Sequence, residues 1–137
     1  MTDQPSYVYA EDELRHLLAR EVQRSTRYQD FLSLCLVRVS TAGPSAEIRE
    51  TVARRIAEML RSTDMVGSIG ENIAVLLVHT PDTEAAVIAD RIRERGPAML
   101  TLYGEISLRI GLACFPVDGS SEDALLTCAR SRLESVP

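Results

Sequence analysis

The order of its apolar runs is the feature that most constrains what this chain can fold into. Four runs have the length and the β-branched content of strands, and two amphipathic helical segments separate them. The strands are predicted at 31–40, 64–69, 73–79 and 105–115, and the helices between them at 45–60 and 82–95. The order β-α-β-β-α-β is the split βαβ arrangement of ferredoxin-like α+β sheets. The sequence therefore predicts an α+β fold with a mixed, mainly antiparallel sheet that is flanked by helices.

Further helices flank this core, and turn-forming residues separate its elements. Apolar residues recur at helical spacing through 9–28, and a last helix is predicted to begin at Ser120 or Ser121. Gly70-Glu71-Asn72 has the residues of a tight hairpin turn. Gly96-Pro97 is predicted to end the second core helix, because proline cannot continue a helical hydrogen-bond ladder.

The chain has the size of one domain. Its 137 residues fall within the usual range for a single domain, so 1–137 is predicted to form one unit with a flexible N-terminus over 1–8. The first residues have neither the basic nor the apolar region of a secretory signal. No apolar run approaches the roughly 20 residues that span a bilayer. We therefore expect a cytoplasmic protein that does not insert into a membrane.

The charge balance argues against several classes of partner. The chain has 15 basic and 20 acidic residues, which gives a net charge of −5 at pH 7. Duplex DNA and anionic membranes attract clustered positive charge, so neither is an expected partner. All the basic residues are arginines, so any anion site must use guanidinium groups. The cysteines and histidines lack the spacing of metal ligands, and we predict neither a metal site nor a cofactor.

Four segments of the chain carry a family pattern. Residues 61–77, RSTDMVGSIGENIAVLL, are similar to the pattern R-x-x-D-x-x-x-R-x-G-G-D-E-F, which an apolar strand follows. Three further patterns of the same family match later segments, namely ADRIR at 89–93, ISLRIGLACFPVDG at 106–119 and LLTCARSRL at 125–133. Together these segments resemble the GGDEF domains, the diguanylate cyclases of bacterial signalling. The resemblance covers about residues 12 to 133 and implies a GGDEF or nucleotidyl-cyclase-like fold.

The same resemblance shows where catalytic residues are missing. In GGDEF domains, an aspartate in the D-x-D that ends the first strand and an acid of the signature loop hold two divalent cations. This chain has Arg38 and Ser40 at the strand positions. Its signature loop is shortened to Gly70-Glu71-Asn72-Ile73, in which Glu71 is the one acid. A guanidinium repels a dication, and one carboxylate does not build a two-metal site. The chain is therefore predicted to have no catalytic residues and no diguanylate cyclase activity.

The resemblance also implies a second nucleotide site. GGDEF proteins often carry a product-inhibition site for cyclic di-GMP, made of an R-x-x-D and an arginine on the following helix. Arg61 and Asp64 match the R-x-x-D, and Arg91 matches the arginine. An arginine fork reaches O6 and N7 of guanine or clamps a phosphate, while a carboxylate accepts from the guanine N–H groups. We therefore predict a cyclic di-GMP receptor. The structural alternative is that Arg61 and Asp64 cap and pair at a helix end and that Arg91 is an ordinary solvated arginine.

Two other questions stay open from the sequence. The alternative function is a nucleotide-independent scaffold that holds a protein partner or a second copy of the chain. The apolar stripe Leu14, Leu17, Leu18 and Val22 would then be a dimer seam, or else it packs on the sheet. Arg38, inside an apolar strand, either pairs with an acid such as Glu71 or faces solvent at the strand end.

Overall fold

The computed structural model describes residues 7–41, 45–99 and 106–134, and these residues form five strands and four helices. In chain order they are β1 (Val8–Tyr9), α1 (Glu11–Tyr28), β2 (Leu32–Thr41), α2 (Ser45–Ala57), β3 (Met65–Ile69), β4 (Asn72–Val78), α3 (Asp82–Met99), β5 (Ile106–Phe115) and α4 (Glu122–Glu134). Every predicted element is present, with shifted ends. None of the helices in this part of the chain is both long and apolar enough to cross a membrane.

The strands form one mixed sheet in the order β1-β3-β4-β2-β5. β1 pairs with β3 in parallel, and the other three neighbouring pairs are antiparallel. The four strands from β2 to β5 have the ferredoxin-like order, so the predicted α+β architecture is confirmed. The short strand β1 corrects the expectation of a flexible N-terminus over 1–8, which included Val8. Residues 1–6 lie outside the described residues.

Helices cover both faces of the sheet. Alternate residues of β2 face opposite sides, so Leu34 and Leu36 join the core under α1 and α4. Cys35 and Val37 join the core under α2 and α3. The first six residues of β2, 32–37, are therefore buried on both faces, which explains why this part of the strand is a nearly continuous apolar run and not an alternating one.

The apolar stripe of α1 packs on the sheet. Leu14 and Leu18 are fully buried, and Val22 is 8% exposed. All three lie in the core that α1 shares with α4. Of the two roles considered for this stripe, intramolecular packing is therefore the one that the structure supports.

The structure refines the prediction of where α3 ends and where α4 begins. α3 continues to Met99, so the prediction that Gly96-Pro97 ends it is wrong. A proline costs a helix one backbone hydrogen bond, and near the helix end only the last turn is affected. Ser121 is the N-cap of α4, because its Oγ accepts a hydrogen bond from the Ala124 N–H at 3.1 Å.

Close contact between α4 and β5 requires a glycine on the strand. A Cβ placed on Gly111 would lie 2.0 Å from the carbonyl oxygen of Ala129 and 2.7 Å from the backbone nitrogen of Leu133. Both distances are far below van der Waals contact, so only glycine allows α4 to approach β5 this closely.

An ion pair also fixes α4 to the end of β5. Arg132 donates to both carboxylate oxygens of Asp118, at 2.9 and 2.8 Å, and to the carbonyl of Leu112 at 2.7 Å. These hydrogen bonds hold the pKa of Asp118 below its usual value, although burial raises it. The pair anchors α4 so that its last turn, with Glu134, lies beside Arg38 of β2.

Candidate functional site

The hairpin that carries the shortened signature loop is a two-residue turn. Ile69 pairs with Asn72, which leaves Gly70 and Glu71 as the central residues. Gly70 has φ +61°, and a positive φ at the first central position is the pattern of a type II′ turn. Asn72, predicted as part of the turn, belongs instead to β4, and Ile73 follows it into the core.

Both neighbouring helices hold this turn. The N–H of Gly70 donates to Glu11 Oε1 at 2.6 Å, and Arg49 Nη1 donates to the carbonyl of Glu71 at 3.3 Å. The bond from Gly70, followed by that from Arg15, lowers the pKa of Glu11. Sequence reasoning missed Glu11, because acidic residues are common in the first turn of helices and give no sign of a distant partner.

Arg38 pairs with an acid, but that acid is Glu134 of α4. Arg38 Nη2 donates to Glu134 Oε1, and Arg38 Nε donates to Asn72 Oδ1 at 3.4 Å. The hydrogen bond from Arg38 lowers the pKa of Glu134, against a smaller effect of burial. The hydrogen bond to Glu134 is the main cause that raises the pKa of Arg38, and Glu71, the partner suggested from sequence, adds only a longer-range attraction.

A second arginine adjoins this ion pair. Arg38 and Arg109 lie directly opposite each other on β2 and β5, so they share a face of the sheet. The end of the sheet at the hairpin thus presents an amide, two guanidiniums and a carboxylate: Asn72, Arg38, Arg109 and Glu134. Among the described residues, no group of three His, Cys, Asp or Glu side chains could hold a metal ion. Guanidinium groups favour the binding of anions at this position and disfavour cations.

Arg61 and Asp64 do come together, at the turn between α2 and β3. The carboxylate of Asp64 accepts from the backbone N–H of Arg61 at 3.1 Å and lies 3.5 Å from both Arg61 Nε and Nη2. Arg61 Nη2 also donates to the carbonyl of Val78 at 3.0 Å and to Thr80 Oγ1 at 2.8 Å. Thr80 is fully buried. The pair therefore joins the α2–β3 turn to the end of β4.

The two members of this pair differ in exposure. The side chain of Asp64 is 1% exposed, whereas that of Arg61 is 55% exposed. A carboxylate buried against its own chain does not present its oxygens to an external guanine. Arg61 keeps part of its guanidinium in solvent. This arrangement is the capping and pairing that the structural alternative predicted.

Arg91 lies on the exposed side of α3. The buried face of this helix consists of Ala85, Ala89 and Ile92, and Arg91 falls outside it. No hydrogen bond or ion pair in the described part of the chain joins Arg91 to Arg61 or Asp64. α2 and α3 do pack on the same face of the sheet. The structure thus brings Arg61 and Asp64 into contact and leaves Arg91 on a neighbouring element.

Comparison with known proteins adds a family match. The family model for the GGDEF domain of diguanylate cyclases matches residues 47–136. No curated protein is significantly similar in sequence.

Solved structures with the same fold are more distant in sequence. The active GGEEF domain of a diguanylate cyclase from Vibrio cholerae aligns with a TM-score of 0.82 at 16% identity, over 93% of this chain and 90% of its own. The GGDEF domain of YfiN from Pseudomonas aeruginosa gives 0.78 at 23% identity, over 93% and 88%. A microbial GGDEF domain described in an interaction with cyclic di-GMP gives 0.69 at 16% identity, over 93% and 86%. At these identities the likeness establishes the fold.

Proposed function

Since the chain belongs to the GGDEF domain family, we propose that it is a catalytically inactive signalling domain of that family. The observation that carries this proposal is the ion pair between Arg38 and Glu134, beside the amide of Asn72. Arg38 and Asn72 stand where the family resemblance implies two metal-ligating carboxylates. A fixed positive charge there opposes the entry of a divalent cation, which needs anionic oxygen ligands.

Turnover of GTP tests this proposal directly. The purified chain, incubated with GTP and either Mg²⁺ or Mn²⁺, is expected to form no cyclic di-GMP, while an active GGDEF cyclase assayed in parallel does. Glu71→Gln is the matched variant, because Glu71 is the remaining acid of the signature loop. Product formation that this substitution abolishes would overturn the proposal of an inactive domain.

We further propose that the domain is a receptor for cyclic di-GMP through Arg61, Asp64 and Arg91. The geometry supports different roles for the three residues. Arg61 and Arg91 have exposed side chains, and guanidinium groups suit the guanine O6/N7 edge and the phosphates of the ligand. Asp64 is buried and holds Arg61 by its backbone and side chain, so it acts as a positioning residue.

Calorimetric titration of cyclic di-GMP separates these roles. Each arginine contact of this kind contributes about 1–3 kcal/mol, so Arg61→Ala and Arg91→Ala are expected to weaken binding about fivefold or more. Arg93→Ala is the matched control, because Arg93 is an exposed arginine of the same helix that pairs with Asp90. No binding by the unaltered chain at ligand concentrations near millimolar would overturn the receptor proposal.

A specific observation favours the alternative, a nucleotide-independent scaffold for a protein partner or a second copy of the chain. The carboxylate of Asp64 and one arm of Arg61 are already bound within the chain, so the motif has a structural role without any ligand. Sedimentation of the purified chain with and without cyclic di-GMP distinguishes the two functions. A dimer that is unaffected by the nucleotide supports the scaffold, and a ligand-dependent change in mass supports the receptor.

A further inference from the structure

The strand β5 lies at one edge of the sheet, and half of its outer side is already covered. Among the described strands, β5 has β2 as its one neighbour. On the outer side, the N–H of Cys114 donates to the carboxylate of Asp118 at 2.9 Å, and the carbonyl of Cys114 accepts from the Asp118 N–H at 2.7 Å. Arg132 donates to the carbonyl of Leu112 at 2.7 Å. The Asp118–Arg132 pair therefore caps the C-terminal half of this edge.

These contacts identify the residues of β5 whose backbone groups point outward. In an antiparallel strand, the N–H and C=O of one residue point to the same side, and successive residues alternate. Because Leu112 and Cys114 point away from β2, the backbone groups of Ile106, Leu108 and Ile110 do so as well. Within the described chain, no loop or side chain hydrogen-bonds to the outward groups of these three residues. An uncovered edge of this kind is a template for pairing with another strand.

The side chains of the same stretch are apolar and incompletely covered. Ile106, Leu108 and Ile110 share the face of the sheet on which α2 and α3 pack. Ile110 is buried, but Ile106 and Leu108 are half-buried. A strand added at this edge would therefore remove apolar surface from water as well as satisfy backbone groups.

We propose that β5 pairs with β5 of a second copy of the chain, antiparallel and centred on Leu108, so that two sheets join into one. In this register Leu108 lies opposite the partner's Leu108, and Ile106 lies opposite the partner's Ile110. Each of these residues exchanges both of its backbone hydrogen bonds with the residue opposite. The apolar side chains of the two copies then lie together on one face.

The arrangement of the edge favours a second copy as the occupant. The uncovered stretch, 106–110, is symmetric about Leu108 in its outward groups and in its apolar side chains. The capped residues of the two copies lie beyond opposite ends of this stretch, so they do not block the pairing. A register centred on Ile110 would instead place the partner's capped Leu112 opposite Leu108. In the proposed register Ser107 lies opposite the partner's Arg109, so like charges are not directly opposite.

This pairing gives a surface to the scaffold alternative and rests on that function. β5 is separated by β2 and β4 from β3, the strand that follows Arg61 and Asp64, so cyclic di-GMP is expected to leave the dimer unchanged. A pairing over 106–110 uses fewer residues than the roughly 20–30 on each side of a standard interface. We therefore expect a reversible dimer that forms as the protein concentration rises.

Sedimentation velocity over a series of protein concentrations tests the pairing. The unaltered chain is expected to change from monomer to dimer. Leu108→Pro removes an outward N–H but no hydrogen bond to β2, so it is expected to weaken dimerisation about tenfold or more. Leu108→Val is the matched control, because it keeps the N–H and an apolar side chain, and it is expected to dimerise within about threefold of the unaltered chain. Thermal melts confirm that both variants are folded.

Cysteine cross-linking tests the register in a Cys128→Ser background, in which the two remaining thiols are buried. Directly opposite residues of a hydrogen-bonded pair have their Cα atoms about 5.5 Å apart, which a disulfide can bridge. Leu108→Cys is therefore expected to give a covalent dimer under mild oxidation. Ser107→Cys is the matched control, because the two copies of this residue would be about 8 Å apart, too far for a disulfide.

Each result supports or overturns the pairing. A chain that stays monomeric overturns it and leaves the edge to a strand of another protein, while the receptor proposal stands if that monomer binds cyclic di-GMP. A folded Leu108→Pro that dimerises as tightly as Leu108→Val keeps the scaffold function but overturns this surface. Cross-linking of Ser107→Cys that equals that of Leu108→Cys also overturns it. If Leu108→Pro does not fold, the cross-linking comparison decides.

Discussion

Replacement of Asp64 by alanine tests whether the R-x-x-D motif stabilises the fold. Its buried carboxylate accepts from the N–H of Arg61 at 3.1 Å, and the loss of a capping acceptor of this kind costs about 1–2 kcal/mol. The ion pair with the half-exposed guanidinium, at 3.5 Å, adds less than about 1 kcal/mol. We therefore expect Asp64→Ala to lower the free energy of unfolding by about 2 kcal/mol.

This loss is large enough to measure by thermal unfolding. With an unfolding entropy of about 2.1 cal/mol/K per residue, 2 kcal/mol corresponds to a decrease in Tm of about 7 °C for a chain of this length. Asp64→Asn is the matched variant, since its amide oxygen can still accept from the Arg61 N–H, and it is expected to retain most of the stability. A Tm for Asp64→Ala within about 1 °C of the unaltered chain, together with loss of cyclic di-GMP binding, would refute the positioning role and assign the carboxylate to the ligand.

Three further outcomes follow from the packing and the charges. Gly111→Ala is expected to destabilise the chain to urea by about 1–3 kcal/mol, because its Cβ would overlap the carbonyl of Ala129. Arg132 lowers the pKa of Asp118, so this pair stabilises the fold above the pKa of an unfolded carboxyl group and is lost as pH falls through the folded pKa. Asp118→Asn should therefore show a shallower loss of stability in acid. A thiol reagent is expected to modify one cysteine of the native chain, Cys128, and all three in urea, because the other two thiols are buried.

The fold was predictable because apolar strand segments, amphipathic helical segments and turn residues are clearly separated along the chain. Each core strand is an apolar run bounded by turn residues, and the order of these runs leaves few topologies. The strand Val8–Tyr9 was not predictable in the same way, because two residues carry no periodicity. It exists through its pairing with Val66 and Gly67 of β3, which only the folded sheet provides.

The candidate site was less predictable, because its partners are distant in sequence. The positions of Arg61 and Asp64 followed from a spacing of three residues, and the structure places them in contact. The burial of Asp64 did not follow, because it depends on the end of β4. Arg38 and Glu134 are 96 residues apart, and no pattern within either segment indicates the other. The residue types are visible in the sequence, but their pairing depends on the packing of α4 on β5.

At the hairpin end of the sheet, Arg38 replaces a carboxylate of the family pattern, and its positive charge is balanced by the negative charge of Glu134. Arg38 lies directly opposite Arg109, where like charges are unfavourable, and the carboxylate of Glu134 that pairs with Arg38 offsets part of this repulsion. Replacement of Arg38 by aspartate alone would place the new carboxylate beside Glu134 and directly opposite Arg109, with the neutral Asn72 still on the neighbouring strand. The guanidinium of Arg109 would then compete with a divalent cation for these carboxylates. A single reversal thus does not recreate the metal site that the family resemblance implies, and the loss of catalysis that we propose would require several coordinated changes to undo.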